Sequence, residues 1–211
     1  MGIYSIKPAF GRALGPVERA LIRAGVSADA LTAAGFVFAA AAGIGVWLGR
    51  NGGGWLVLAA ACAILRTAAN ALDGNVARAT GTQRPFGEVL NETADRLGDG
   101  VALGAFLFVP TVPLLLVAAM LVLTFSTSFL AAINKAAGGT RLHSGPMGKP
   151  DRMLLLAAAA IVALWLNPGS VFTVMLWIMV AGVALTLAIR FRDSYTELAG
   201  APAPDDAVGR L

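Results

Sequence analysis

The stretch from Asn70 to Asp99 carries the residues that could do chemistry. It supplies the carboxylates Asp73, Glu88, Glu92, Asp95 and Asp99, with Asn70, Asn91 and Arg78 among them. Carboxylates can take up protons or hold cations, and an arginine can meet an anion. Asn70, Asp73 and Ala77 recur at the spacing of one helix face. Gly87, Asn91, Asp95 and Asp99 recur every fourth residue on a second. Gly74 and Gly87 lack side chains, so a ligand or a partner helix can come close. The sequence on both sides is almost wholly apolar, and charged groups beside membrane-length runs are costly enough to imply function.

Two elements must position this set. The spacing predicts two antiparallel helices, joined by a loop with Gly81 and Pro85, whose polar faces build a site between them. The 211 residues are 57% hydrophobic and only 13% charged, which argues against a soluble domain. We expect an all-α polytopic membrane protein with six transmembrane helices and an N-terminal amphipathic interfacial helix. The spans fall at about 29–49, 54–79, 86–109, 111–137, 151–166 and 170–191. Three regions follow: an amphipathic segment over 1–28, the membrane domain over 29–192 and a tail over 193–211 expected to be disordered. Gly15-Pro16 is expected to open the first helix, with Leu14, Val17 and Leu21 as its apolar face. Ser27 or Asp29 would cap the first span. No internal duplication and no cleavable signal is evident.

The net charge of +4 invites a nucleic-acid reading. The basic residues instead lie beside the spans. Lys7, Arg12, Arg19, Arg23, Arg78, Arg84, Lys135, Arg141, Lys149, Arg152, Arg190 and Arg192 all fall on one side, and Arg50 alone on the other. The positive-inside rule therefore predicts cytoplasmic termini and a cytoplasmic 70–99 site in a bacterial-type cell membrane. The single cysteine, Cys62, excludes an internal disulfide.

The motif also resembles a family. CDP-alcohol phosphotransferases (CDP-alcohol phosphatidyltransferases) carry Asp-x2-Asp-Gly-x2-Ala-Arg-x8-Gly-x3-Asp-x3-Asp. This chain has Asn70, Asp73, Gly74, Ala77, Arg78, Gly87, Asn91 and Asp95 at the same spacings, with six of the eight residues identical. Both departures are Asp to Asn, at the first and third aspartate positions.

The resemblance implies transfer of a phosphatidyl or other phosphoalcohol group from CDP-diacylglycerol or a related CDP-alcohol to an alcohol acceptor, with release of CMP. It implies phospholipid biosynthesis, membrane lipid as partner and a homodimer by analogy. In the family the four aspartates hold two metal ions, magnesium or manganese, and the last is the general base. Carried over, Asn70, Asp73, Asn91 and Asp95 would form the metal site and Asp95 would be the catalytic base. Gly74, Ala77 and Gly87 would line the nucleotide pocket, and Arg78 would hold its phosphates. Lys149 and Arg152, in the basic segment 140–153, would meet a phosphate on the acceptor or lipid.

The two amides leave three outcomes open. One metal suffices; or Glu88, Glu92 or Asp99 substitutes; or catalysis is lost. The alternatives to the transferase are therefore an impaired homologue acting as a lipid-binding scaffold and a small-solute transporter. Arg66, one turn before Asn70, is read as a partner for the site carboxylates, a diphosphate ligand or a structural ion pair. Arg96 is expected to pair with Glu92 at i, i+4.

Overall fold

The computed structural model describes residues 7–199, and all regular structure in that range is helical. Seven α-helices follow in order: α1 Lys7–Arg23, α2 Ala28–Leu48, α3 Trp55–Ala79, α4 Pro85–Gly104, α5 Leu114–Ala136, α6 Lys149–Val162 and α7 Pro168–Leu198. Short 3-10 turns, Gly49–Asn51 and Ala105–Phe108, follow α2 and α4.

Four helices are long and apolar enough to cross a membrane: α2 with its 3-10 turn, α3, α5 and α7. The other two expected spans are helices that fall short of that standard. α4 begins with three turns of mixed charge, and α6 has 14 residues, about 21 Å at the helical rise, against a hydrocarbon core of about 30 Å.

Small residues set the helix spacing, as expected where helices pack without a hydrophobic drive between them. A Cβ on Gly43 of α2 would lie 2.8 Å from the Val101 carbonyl oxygen of α4. A Cβ on Gly45 would lie 2.7 Å from the Ala59 nitrogen of α3. α2 is thus wedged against both helices that carry the motif. α6 packs on α3 and α7, and α5 packs on α7.

Among the described residues, the core, which includes Ala42, Val46, Leu56, Ala63, Leu103, Phe106, Met120, Leu156 and Phe172, has no carboxylate, lysine or arginine. Phe106 meets Phe172 edge to face at 5.1 Å. The outer surface is apolar as well, with Leu115, Phe129 and Trp177 exposed. Trp47, Trp55 and Trp165 are exposed at the end opposite the motif, as an aromatic belt would be.

Two boundaries differ from expectation. α1 begins at Lys7, so Pro16 lies inside the helix and does not open it. The contact that holds α1 is tertiary: Leu14, Leu21, Ile22 and Val26 pack on Leu31, Leu72 and Val76, while Val17 stays exposed. That packing outweighs the backbone hydrogen bond that proline cannot donate. α7 runs to Leu198, so residues 193–198 are helical and are not a disordered tail. Residues 200–211 lie outside the described range. Ser27 caps α2 as expected, its hydroxyl accepting from the Ala30 N–H at 3.2 Å. Asp151 reaches back to the Gly148 N–H at 2.7 Å and starts α6.

Candidate active site

The motif helices α3 and α4 meet at the end where α2, α6 and the 137–148 loop also converge. Between them lies a cavity of about 1510 Å³. All ten residues singled out from the sequence line it: Asn70, Asp73, Gly74, Ala77, Arg78, Gly87, Asn91, Asp95, Lys149 and Arg152.

The two carboxylates and two amides are interlocked reciprocally. Asn70 of α3 donates through Nδ2 to Asp95 Oδ1 of α4 at 2.5 Å. Asn91 of α4 donates through Nδ2 to Asp73 Oδ2 of α3, also at 2.5 Å. Both aspartates are buried. Gly35 of α2 makes room for this lock, since a Cβ there would lie 2.6 Å from Asn70 Oδ1.

The surroundings of the two aspartates differ. Asp73 receives only neutral donors: Asn91, the Thr32 hydroxyl at 3.1 Å and the Gly74 N–H at 2.5 Å. No cationic side chain among the described residues forms an ion pair with it. Asp95 instead receives the Lys149 ammonium on Oδ2 at 2.6 Å, and Arg66 stands 3.9 Å from its Oδ1.

One turn deeper, Asp99 is fully buried between two buried arginines. Arg66 donates to Oδ1 at 2.7 Å and Arg152 to Oδ2 at 2.6 Å. Glu92 pairs with Arg96, as its i, i+4 spacing predicts, with Arg141, and with Lys149 at 3.0 Å. Glu88 pairs with Lys135 at 2.5 Å.

Glu88, Glu92 and Asp99 are each met by protein cations, as Asp95 is by Lys149. Arg66 is a buried ion-pair partner, which leaves no need for a diphosphate to explain it. Lys149 and Arg152 line the cavity, but each has a carboxylate of α4 as its partner. Arg78 is exposed at the rim, with its guanidinium 2.5 Å from Asn75 Oδ1; Asn75 in turn donates to Glu18 of α1 at 3.1 Å.

Thr32 escaped the sequence reading. It lies 41 residues from Asp73, and its one signal is a hydroxyl in the first turns of an otherwise apolar helix. Asp29, next to it, grips Arg84 and ties down the loop between α3 and α4.

The donor set fits a hard divalent cation. Among the described residues no three His, Cys, Asp or Glu side chains gather as a metal group, so the oxygens would come from Asp73, Asp95 and the amides. Turning either amide exchanges its N–H donor for an oxygen ligand. A buried carboxylate that faces only neutral donors is itself an argument for a missing cation, because an unpaired buried charge is expensive.

The profile of the CDP-alcohol phosphatidyltransferase family matches residues 26–188. The chain belongs to the CDP-alcohol phosphatidyltransferase family.

Among relatives of this phosphatidyltransferase, inner membrane protein YnbA of Escherichia coli is 33% identical over 193 residues, covering 90% of this chain and 94% of that one. A phosphatidylinositol phosphate synthase of Corynebacterium glutamicum is 31% identical over 201 residues, covering 86% and 89%. A crystal structure of the Mycobacterium tuberculosis phosphatidylinositol phosphate synthase with CDP-DAG bound superposes with a TM-score of 0.73 at 23% identity, covering 92% of this chain and 98% of that chain. The same enzyme in complex with manganese and citrate gives a TM-score of 0.72. At that identity the likeness is one of fold.

Proposed function

We propose that this chain transfers a phosphatidyl group from CDP-diacylglycerol, or the phosphoalcohol group of a related CDP-alcohol, to an alcohol acceptor and releases CMP. The observation that carries the reading is the reciprocal lock that brings Asp73 and Asp95 into one cavity, in a chain of this family. The acceptor hydroxyl oxygen bonds to the phosphorus that carries the lipid alcohol. The bond from that phosphorus to the bridging oxygen breaks, and CMP leaves with its electron pair. The hydroxyl proton goes to a carboxylate oxygen of Asp95, which Asn70 and Lys149 hold in orientation.

A divalent cation, magnesium or manganese, supplies neutralisation of charge on the diphosphate when it is bound. Asp73 would hold it, with Asn91 turned to offer its amide oxygen and Asp95 beside it. Gly74, Ala77 and Gly87 leave width for the nucleotide, and Arg78 stands at the rim where phosphates enter. Lys135, Arg141 and Lys149 stand at the opposite rim, paired with Glu88, Glu92 and Asp95, and an anionic acceptor would compete with those carboxylates for them.

The membrane reading belongs to the same proposal. α4 with its 3-10 turn and α6 complete six passes, the polar turns of α4 facing the cavity. The termini and the cavity mouth lie on the cytoplasmic side, where the basic residues cluster and a nucleotide-activated donor is available. α1 lies in the interface, bracing the end of α3.

Incubation of purified protein with CDP-diacylglycerol, manganese and a panel of alcohols, with CMP read by mass, tests the activity. CMP that accumulates with one alcohol and not without it supports the proposal; CMP from none of them sinks it. One observation favours a second reading, an impaired homologue: each aspartate has an oxygen occupied by an amide. In that case Asn70→Asp with Asn91→Asp would create activity from none.

A further inference from the structure

We infer that the cavity takes a single divalent cation, seated against Asp73, and that the Lys149 ammonium supplies the other positive charge, on Asp95. The inference rests on the transferase reading above and concerns how this chain builds the charge of its site.

Two carboxylates line the lock, and the protein treats them unequally. Asp73 is buried and meets only the neutral donors Thr32, Asn91 and the Gly74 N–H. Among the described residues no ammonium or guanidinium pairs with this carboxylate, so an incoming cation meets no protein charge on it. Asp95 has its outer oxygen, Oδ2, 2.6 Å from Lys149 Nζ, and only its inner oxygen, Oδ1, turns toward Asn70.

A second dication on Asp95 would therefore have to displace an ammonium that is held twice, because Glu92 Oε1 also lies 3.0 Å from Lys149 Nζ. It would gain no charge from Asn70 or Asn91, whose amides are neutral. Like charges at such distances repel by several kcal/mol even at an effective dielectric of about 20. A single cation and one lysine meet the same oxygens without that repulsion. Lys149 starts α6, and the Gly148–Asp151 cap fixes where that helix begins. Its position is therefore set by the fold.

Counting bound Mn2+ on the purified full chain by electron paramagnetic resonance tests this, with affinity taken from the same titration. The wild type should bind one Mn2+ per chain. Lys149→Met should still bind one, but roughly tenfold more tightly, because a like charge is gone and Asp95 Oδ2 is freed. Lys149→Arg, which keeps the charge, should match the wild type. Lys149→Met combined with Asn70→Asp and Asn91→Asp should bind two.

Two Mn2+ on the wild type, or an affinity unmoved by Lys149→Met, would overturn the inference. If the methionine variant does not elute as a monodisperse species, the wild-type count alone still decides between one and two. CMP release, read separately, keeps the two proposals apart. Two bound cations with normal CMP release sink only the charge assignment. One bound cation without CMP release from any alcohol sinks only the reaction.

Discussion

Asp73 and Asp99 lie on neighbouring helices, both buried, and the protein uses them in opposite ways. Asp99 has a guanidinium on each oxygen, Arg66 on one and Arg152 on the other, and these join α3, α4 and α6 in one buried layer. Asp73, nearer the cavity mouth, has three neutral donors and, among the described residues, no protein cation. The lesson is that a carboxylate near a membrane rim cannot be assigned a role from its type. Its partners decide. A carboxylate saturated by arginines holds helices together, and one left with neutral donors is where the proposed cation would sit.

Substitutions at the two positions should separate these roles. Asp99→Ala leaves Arg152 without its anion and Arg66 with only Asp95, 3.9 Å away, and it should cost about 3–5 kcal/mol, so little folded protein survives extraction. A thermal melt of the purified variant in detergent checks this; a midpoint equal to wild type would break the contrast.

Asp73→Asn removes a charge that lacks a protein partner. The melting midpoint of the metal-free protein should not fall, while CMP release should drop by about 10²- to 10³-fold. A large fall in the midpoint would mean that Asp73 is a structural residue like Asp99.

The smallest effect sharpens the comparison. Thr32→Val removes one neutral donor from Asp73, worth about 0.5–1.5 kcal/mol. It should weaken Mn2+ binding a few-fold, read by titration, with the fold intact.

Much of this site was legible in the sequence, for a physical reason. Helical periodicity fixes which residues share a face, so the spacing alone puts Asn70 with Asp73 and Asn91 with Asp95. The short loop between the helices made them antiparallel neighbours. The Glu92–Arg96 pair follows from the same local rule. What sequence could not show was contact across long separations. Lys149 reaches Asp95 over 54 residues and Arg152 reaches Asp99 over 53, and no periodicity links such positions. Lys149 and Arg152, expected to meet a phosphate, also pair with Asp95 and Asp99 of α4. Thr32 was invisible on the same ground.

The fold was legible to the extent that apolar runs mark helices. It was less so where composition and packing disagree. The charges of α4 hid how much of that helix the bundle buries, since its inner face ends in Asp95, Gly98, Asp99 and Ala102. Pro16 suggested a helix start, and the apolar contacts of α1 with α3 outweighed it.

The central claim is that α3 and α4 bring Asp73 and Asp95 together to run one transfer reaction, with Asp95 taking the proton. CMP release from CDP-diacylglycerol, measured for wild type and Asp95→Asn at saturating manganese and acceptor, tests it most directly. The account predicts that wild type releases CMP and that Asp95→Asn falls by about 10²- to 10⁴-fold while still eluting as a folded species. Undiminished turnover in Asp95→Asn would contradict it.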